Sequence, residues 1–273
     1  MADGPGPTVG SLPRALDHRD EIRDRLAGST PAVFLDYDGT LTPIVERPED
    51  ALLSDDARRA IERLAARCPV AVISGRDLAD VRRMVGVEDI AYAGSHGFDI
   101  AGPGGVAEQH GVEFLPDLDR AEDELRASLG RIPGIRVERK RFAIAVHVRQ
   151  VEDRRIPEVE TAVDRVARAH ARLRRTGGKK VFELRPNEEW DKGRALLRLM
   201  QILRVDRVDV VPIYVGDDAT DEDAFRAIAE RGIGLVVQGE GDSWVTAARY
   251  SLADTEEVRV FLEELASPAM FTA

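Results

Sequence analysis

Short apolar runs alternate with segments of helical periodicity over the first third of the chain. The runs at 32–35 and 70–73 predict two strands, and the segments at 55–66 and 77–84 repeat apolar residues every three to four positions, as helices do. Strands that alternate with helices in this way are typical of a parallel sheet covered on both faces. The pattern therefore predicts an α/β fold.

The same alternation returns in the last third of the chain. The predicted elements there are helices at 192–203, 221–229 and 256–265 and strands at 210–215 and 233–237. Because both ends of the chain show one pattern, we expect them to form one core domain from residues 1–112 and 186–273.

The pattern changes between these two halves. The predicted elements are helices at 118–129 and 156–171 and strands at 135–138, 142–148, 173–175 and 180–184. Short strands with alternating side chains indicate an antiparallel sheet, so we expect residues 113–185 to form a small α+β domain. The glycine-rich sequence at 102–105, GPGG, predicts a hairpin turn just before it.

Composition and charge narrow the class of protein. The chain has 273 residues, with 39 basic and 50 acidic side chains and a net charge of −11, which argues against nucleic-acid binding. The single cysteine, Cys68, cannot form an intrachain disulfide, and no apolar run reaches the roughly 18 residues that a membrane span needs. Residues 1–14 lack the basic start and apolar stretch of a signal peptide. We expect a soluble, cytoplasmic protein with no membrane partner.

The first candidate site follows the first predicted strand. The sequence Asp36-Tyr37-Asp38-Gly39-Thr40 begins where that strand ends, and open α/β sheets bind their ligands at this edge. An Asp-Gly pair alone is typical of a turn. Two carboxylates at the edge of a sheet therefore indicate a site only together with further motifs.

Three such motifs follow or open the neighbouring elements. Ser74-Gly75-Arg76 follows the second strand and can hold phosphate oxygens with a hydroxyl and backbone N–H groups. Lys192, one of only four lysines, opens a helix and can neutralise a phosphoryl group. The sequence at 216–223, GDDATDED, places five acids in seven positions, which repel one another unless a cation lies among them. Singly, these motifs are also typical of a helix cap, an exposed lysine and an acidic helix start.

In this order the four motifs resemble those of the haloacid dehalogenase superfamily of phosphotransferases. The resemblance implies a Rossmann-like parallel-sheet core with an inserted α+β cap domain. It implies that Asp36 is the nucleophile that forms an aspartyl-phosphate and that Asp38 is the general acid and base. It also implies Mg²⁺ held by Asp36, the Asp38 backbone carbonyl and Asp217, with either Asp218 or Asp221 completing the site.

The same resemblance implies a catalytic role for Lys192 and a phosphate-binding set. That set is Asp36, Tyr37, Asp38, Thr40, Ser74, Gly75, Arg76 and Lys192.

A second group of motifs, inside and beside the predicted cap, resembles the trehalose-6-phosphate phosphatase family over about residues 30–265. The motifs are AGSHG at 93–97, Glu138-x-Lys140, His147-x-Arg149 and KKVFELRP at 179–186. The substrate contacts that this resemblance implies are His96, Glu138, Lys140, His147, Arg149 and Glu183, which offer donors and acceptors for the hydroxyls of a disaccharide. The family usually has an aromatic residue where this chain has Val148.

The resemblance implies Mg²⁺-dependent hydrolysis of trehalose 6-phosphate to trehalose and phosphate, with a separate trehalose-6-phosphate synthase as a functional partner. The alternatives are a phosphatase for another glycosyl phosphate, such as a mannosyl- or glucosyl-glycerate phosphate, a sucrose phosphate or a pseudo-disaccharide phosphate, a sugar phosphomutase, or a non-catalytic sugar-phosphate-binding module. The cap residues also have a structural interpretation, because Glu138 and Lys140 share a strand face and can form a simple ion pair.

Overall fold

A computed structural model describes residues 6–45, 47–178, 180–239, 241–267 and 270. The chain forms two compact units: a first unit of residues 1–108 and 190–273, and a second unit of residues 109–189. Lys179, from the KKVFELRP motif, lies outside the described residues.

The strands and helices are named in chain order. The strands are β1 (Thr30–Leu35), β2 (Val70–Ile73), β3 (Ala91–Gly94), β4 (Asp99–Gly102), β5 (Val106–Gln109), β6 (Arg136–Lys140), β7 (Ala143–His147), β8 (Leu173–Gly178), β9 (Val181–Pro186), β10 (Val210–Gly216), β11 (Ile233–Val237) and β12 (Tyr250–Leu252). The helices are α1 (Arg19–Leu26), α2 (Asp55–Ala65), α3 (Leu78–Val85), α4 (Leu115–Leu129), α5 (Ile156–Ala169), α6 (Lys192–Ile202), α7 (Glu222–Ile228) and α8 (Thr255–Leu265).

An eight-stranded sheet organises the first unit, in the order β12-β11-β10-β1-β2-β3-β4-β5. The strands from β12 to β3 run parallel, and β4 pairs antiparallel with β3. Because β1 lies between β10 and β2, the carboxyl ends of these three strands meet at one edge of the sheet. The predicted α/β class with a parallel sheet is confirmed.

Side chains of β1 face both ways into apolar cores, which explains its unbroken hydrophobic run. Val33 and Leu35 belong to the core under α1, α2, α3 and α8. Ala32 and Phe34 belong to the core under α6 and α7 on the opposite face. A strand that is buried on both faces has no polar side to present.

Residues 7–14 run beside the outer strand β12. The backbone N–H of Ser251 donates to the carbonyl of Pro13 at 2.9 Å, and the N–H of Thr246 donates to that of Pro7 at 2.9 Å. Val9 is fully buried in the core under α6 and α7. This N-terminal segment therefore covers the outer edge of the sheet, which would otherwise expose unpaired backbone groups.

The second unit is built on a four-stranded antiparallel sheet in the order β6-β7-β9-β8. Ile144 and Leu184, which are paired between β7 and β9, join a core with apolar residues of α4 and α5. Their neighbours Ala145 and Glu183 are also paired, so they lie on the opposite face of the sheet.

Several elements differ from the prediction at their ends or were not predicted. Helix α4 begins at Leu115 rather than 118, because Pro116 in its first turn suits a helix start. The sequence did not predict α1, β3, β4, β5 or β12, although the GPGG sequence at 102–105 does connect the neighbouring strands β4 and β5. Among the described residues, no helix is long and apolar enough to cross a membrane.

Candidate active site

The parallel pairing of β1 with β10 brings two aspartates together at the carboxyl edge of the sheet. Leu35 is in register with Val215, and the N–H of Asp36 donates to the Val215 carbonyl at 2.9 Å. Asp217 follows β10 directly, so it lies beside Asp36 although the two are far apart in sequence. This edge is where open α/β sheets bind ligands.

Gly39 allows the turn after β1 to approach Asp217. Its φ angle is +84°, and a Cβ atom added there would lie 1.9 Å from Asp217 Oδ2. The hydroxyl of Thr40, the next residue, donates to Asp217 Oδ1 at 3.4 Å. Any side chain at position 39 would therefore displace the Asp217 carboxylate or the turn.

Lys192 lies at the start of α6 and is only 4% exposed. Its Nζ is 2.9 Å from Asp36 Oδ1 and 2.7 Å from Asp221 Oδ1. Burial disfavours the ammonium group, but the carboxylates of Asp221 and Asp36 outweigh it and raise the pKa of Lys192 well above its usual range. Lys192 is therefore a fixed positive charge next to the predicted nucleophile.

Asp221 accepts four hydrogen bonds. Its Oδ1 accepts from Lys192 and from the hydroxyl of Tyr214, and its Oδ2 accepts from the backbone N–H groups of Asp217 and Asp218 at 3.1 Å each. A carboxylate offers about four lone-pair positions, so Asp221 is saturated by protein donors. It connects Lys192 to the loop that carries Asp217.

Asp36, Asp217 and Asp221 form a cluster of three acidic side chains. One carboxylate oxygen from each lies within 4.8 Å of the others. Burial, together with the carboxylates of Asp221 and Asp218, raises the pKa of Asp217 to about 7. Burial also raises the pKa of Asp36 well above its usual range, although Lys192 opposes this effect. The single positive charge of Lys192 does not balance three carboxylates, and carboxylate oxygens are ligands that Mg²⁺ prefers.

Asp38 and Arg76 form an ion pair beside this cluster. Arg76 donates from Nε to Asp38 Oδ2 at 2.7 Å and from Nη2 to Oδ1, and its guanidinium lies over the ring of Tyr37. The guanidinium that the sequence indicated for phosphate binding is therefore engaged with Asp38. The Tyr37 side chain is fully buried and its hydroxyl donates to the Ala51 carbonyl, which leaves only the Tyr37 backbone for a ligand.

Backbone hydrogen bonds join the segment after β2 to the segment after β3. The N–H of His96 donates to the Ser74 carbonyl at 2.8 Å, and the N–H of Ser95 donates to the Arg76 carbonyl at 2.6 Å. Ser95 and His96 both have positive φ angles, 50° and 57°. A Cβ on Gly75 would lie 2.8 Å from His96 Cε1, so the imidazole packs directly on this glycine. The structure thus brings His96 to the predicted phosphate-binding loop.

The second unit carries its predicted polar residues as cross-strand pairs. His147 Nε2 lies 2.7 Å from Glu138 Oε2, and Lys140 Nζ lies 3.0 Å from Glu183 Oε1. The hydrogen bond with His147 lowers the pKa of Glu138. Glu138 therefore pairs with the neighbouring strand β7, whereas Lys140 reaches Glu183 on β9, one strand further along the sheet. Arg149 is exposed just beyond β7.

Sequence reasoning missed Tyr214. It stands inside the apolar sequence VVPIYVG of β10, where a tyrosine is indistinguishable from an ordinary core aromatic. Only its hydrogen bond to Asp221 connects it to the site.

A parallel sheet with a buried Asp–Lys pair and an acidic cluster at its carboxyl edge defines a haloacid dehalogenase-like fold. A crystal structure of a haloacid dehalogenase-like hydrolase from Bacteroides thetaiotaomicron matches this fold with a TM-score of 0.62 at 16% identity, over 86% of this chain and 99% of that chain. The family model described as trehalose-phosphatase matches residues 34–256. The chain therefore belongs to the trehalose-phosphatase family.

Two relatives agree with this assignment. A trehalose-phosphate phosphatase of Mycobacterium tuberculosis is 46% identical over 263 residues, which cover 94% of this chain and 66% of that protein. A crystal structure of a trehalose-6-phosphate phosphatase related protein has a TM-score of 0.73 at 29% identity, over 86% of this chain and 96% of that chain. This chain thus spans slightly less than two thirds of the length of the mycobacterial relative.

Proposed function

We propose that the protein is a phosphatase that hydrolyses trehalose 6-phosphate to trehalose and phosphate through an aspartyl-phosphate on Asp36. The observation that carries the chemistry is the buried Lys192, whose Nζ lies 2.9 Å from Asp36 Oδ1 at the carboxyl edge of the sheet. A cation there lets an anionic nucleophile approach an anionic phosphate. Membership of the trehalose-phosphatase family supports the choice of substrate.

In the first step, a carboxylate oxygen of Asp36 attacks phosphorus and the bond between phosphorus and the sugar oxygen breaks. Asp38 gives its proton to the leaving sugar oxygen, and this protonated form requires the carboxyl to release at least one of its two hydrogen bonds with Arg76. Lys192 has three N–H donors, and its contacts with Asp36 and Asp221 leave one for a phosphoryl oxygen. The products of this step are the free sugar and an aspartyl-phosphate.

In the second step, water attacks the phosphorus of the aspartyl-phosphate and the bond to Asp36 breaks. Asp38, now ionised, takes the proton from the attacking water. Phosphate leaves, and Asp36 returns to its carboxylate form. Arg76 holds the ionised form of Asp38 in place with its two hydrogen bonds.

The proposed cofactor is Mg²⁺, held by Asp36, the Asp38 backbone carbonyl, Asp217 and Asp218. We assign Asp218 rather than Asp221 because four protein donors already occupy both oxygens of Asp221, whereas the two hydrogen bonds that Asp218 accepts from Thr220 both go to Oδ1. When bound, the cation neutralises charge on the nucleophile and on the phosphoryl group. Burial and the neighbouring carboxylates raise the pKa values of Asp36 and Asp217, and a bound cation would favour the ionised forms of both.

We propose the second unit as the cap, which recognises the sugar. Its candidate residues are Glu138, Lys140, His147, Arg149 and Glu183, with His96 from the first unit. The two pairs on its sheet are partly buried, and both can exchange their hydrogen bonds for those of sugar hydroxyls. A different sugar would leave some of these polar groups without hydrogen-bond partners, and the free-energy cost of this makes the site selective. A separate trehalose-6-phosphate synthase in the same compartment, the cytoplasm, would supply the substrate.

The test measures phosphate release with Mg²⁺ from trehalose 6-phosphate, sucrose 6-phosphate, glucose 6-phosphate, a glycosylglycerate phosphate and p-nitrophenyl phosphate. The variant is Asp36→Asn, and the matched control is Asp80→Asn, which removes an exposed carboxylate on α3. We expect a strong preference for trehalose 6-phosphate that is lost only in Asp36→Asn.

Other outcomes of this test favour the alternatives. Faster turnover of another sugar phosphate would show that this compound, and not trehalose 6-phosphate, is the substrate. Cleavage of the aryl ester alone, abolished by Asp36→Asn, would leave the nucleophile assigned and the substrate assignment wrong. Transfer of phosphate to a sugar without release would indicate a phosphomutase.

A further inference from the structure

Tyr214 is the one residue with a polar side-chain group on the otherwise apolar strand β10, VVPIYVG. It lies on β10, is fully buried, and contacts Phe225 of α7 edge-on, with ring centroids 5.5 Å apart. A buried hydroxyl costs free energy unless it is hydrogen-bonded, and this one donates to Asp221 Oδ1. Phenylalanine would fill the same space without that cost, so the hydroxyl needs a reason.

The two oxygens of Asp221 have different partners. Oδ2 accepts from the backbone N–H groups of Asp217 and Asp218, and so shapes the acidic loop. Oδ1 accepts from the Lys192 ammonium at 2.7 Å and from Tyr214. The tyrosine hydroxyl thus acts on the side of Asp221 that faces the lysine.

Lys192 is shared between two carboxylates, with Nζ 2.9 Å from Asp36 and 2.7 Å from Asp221. A second donor on Asp221 Oδ1 spreads the negative charge of that oxygen and weakens its attraction for the ammonium group. We propose that Tyr214 is a positioning residue, whose hydroxyl shares Asp221 Oδ1 with Lys192 and so keeps the lysine charge on Asp36 for phosphoryl transfer. The kinetic part of this inference rests on the proposed phosphatase function.

The substitution Tyr214→Phe tests the hydroxyl alone, since it keeps the ring and its contact with Phe225. The matched control is Tyr92→Phe. Tyr92 is a buried tyrosine on β3 whose hydroxyl donates to the Val87 carbonyl at 2.6 Å, outside the candidate site. Tyr214→Phe removes one buried hydrogen bond and Tyr92→Phe removes two, since the Tyr92 hydroxyl also accepts from the Val87 N–H at 3.3 Å. A purely structural effect would therefore appear in both variants.

The first readout is the NMR signal of the Lys192 ammonium group, which requires no turnover. The chain has only four lysines, so a lysine-labelled sample gives four side-chain signals. Lys192 is assigned by elimination, with arginine substituted in turn for each of the other three. We expect Tyr214→Phe to shift the Lys192 signal and to leave the others unchanged, and Tyr92→Phe to shift none of them.

The second readout is steady-state kinetics with trehalose 6-phosphate and with p-nitrophenyl phosphate. We expect Tyr214→Phe to lower kcat about tenfold, the size of one hydrogen bond to a charged group, while KM changes less than about twofold. Tyr92→Phe should change neither constant. An unmoved Lys192 signal, or an unchanged kcat, in folded Tyr214→Phe would overturn the inference. If the wild type releases no phosphate from any ester, the proposed function fails, and the NMR comparison alone decides whether Tyr214 controls Lys192.

Discussion

Arg76 binds the carboxylate of Asp38 through two nitrogen atoms, with Nε 2.7 Å from Oδ2. This fork fixes the orientation of Asp38, which a single point charge would not do. We expect Arg76→Lys to lower kcat on a sugar phosphate about tenfold, because the charge remains but the second hydrogen bond is lost. Steady-state assays beside Arg83→Lys, an exposed arginine of α3, measure the effect. Equal activity of the two variants would contradict this role for Arg76.

Lys192 is expected to be essential for both stability and activity. Lys192→Met removes the only cation bonded to Asp36 and Asp221 among the described residues, and leaves two buried carboxylates without it. We expect the free energy of unfolding to fall by about 3–5 kcal/mol, the usual effect of breaking a buried ion pair. Urea unfolding and phosphate release measure the two effects. A variant as stable and active as the wild type would show that the lysine is dispensable.

The pKa of Asp217 predicts how stability depends on pH without a divalent cation. This pKa is raised from 3.8 to about 7 in the folded protein, so across this interval the native state holds a proton that the unfolded chain has lost. The stability of cation-free protein should therefore fall as the pH rises from about 4 to 7. Melting temperatures in EDTA at pH 5.5 and pH 8 measure this fall.

The substitution Asp217→Asn tests the origin of this pH dependence. It should raise the melting temperature in EDTA at pH 8, since it removes a carboxylate from a repelling cluster, and it should weaken the stabilisation by added Mg²⁺. A lower melting temperature in EDTA would mean that the carboxylate stabilises the fold. Asp80→Asn serves as the control outside the cluster.

The N-terminal segment, residues 7–14, is expected to protect the edge of the large sheet. Deletion of residues 1–14 removes its hydrogen bonds to Thr246 and Ser251 and exposes β12. We expect a lower melting temperature and concentration-dependent aggregation, because an unpaired strand edge binds other edges. Light scattering beside a deletion of residues 1–5 measures the difference. Full solubility of the longer deletion would show that β12 needs no cover.

Much of the fold is predictable from the sequence because the central strands are buried on both faces. The unbroken apolar sequences of β1, β2, β10 and β11 identify them without tertiary information. By contrast, β12 is three residues long, which is too short for a periodic pattern to distinguish it from a loop. Its place at the edge of the sheet depends on pairing with β11, a tertiary contact.

The candidate site, like the fold, is predictable from the sequence only in part. The motifs predicted that Asp36, Lys192 and Asp217 would lie at one edge of the sheet, because each follows a strand or opens a helix. The sequence did not separate Asp218 from Asp221, since both are acids in one loop. The hydrogen bonds that the two residues accept differ, and those of Asp221 depend on packing. A Cβ on Gly193 would lie 2.4 Å from the Asp223 carbonyl, so α6 and α7 approach closely and bring Lys192 to Asp221.

The first unit consists of two chain segments separated by the second unit, so the parts of the candidate site are synthesised at different times. Lys192 follows Asp36 by 156 positions, and β1 needs β10 as one of its two neighbours. A growing chain on the ribosome has therefore synthesised all of residues 109–189 before it contains Lys192 or β10. The second unit can therefore fold first, while the sheet of the first unit still lacks β10 and exposes the edge of β1. We expect nascent chains to be most vulnerable to misassociation during this interval, and to become reactive toward phosphate esters only after β10 is inserted.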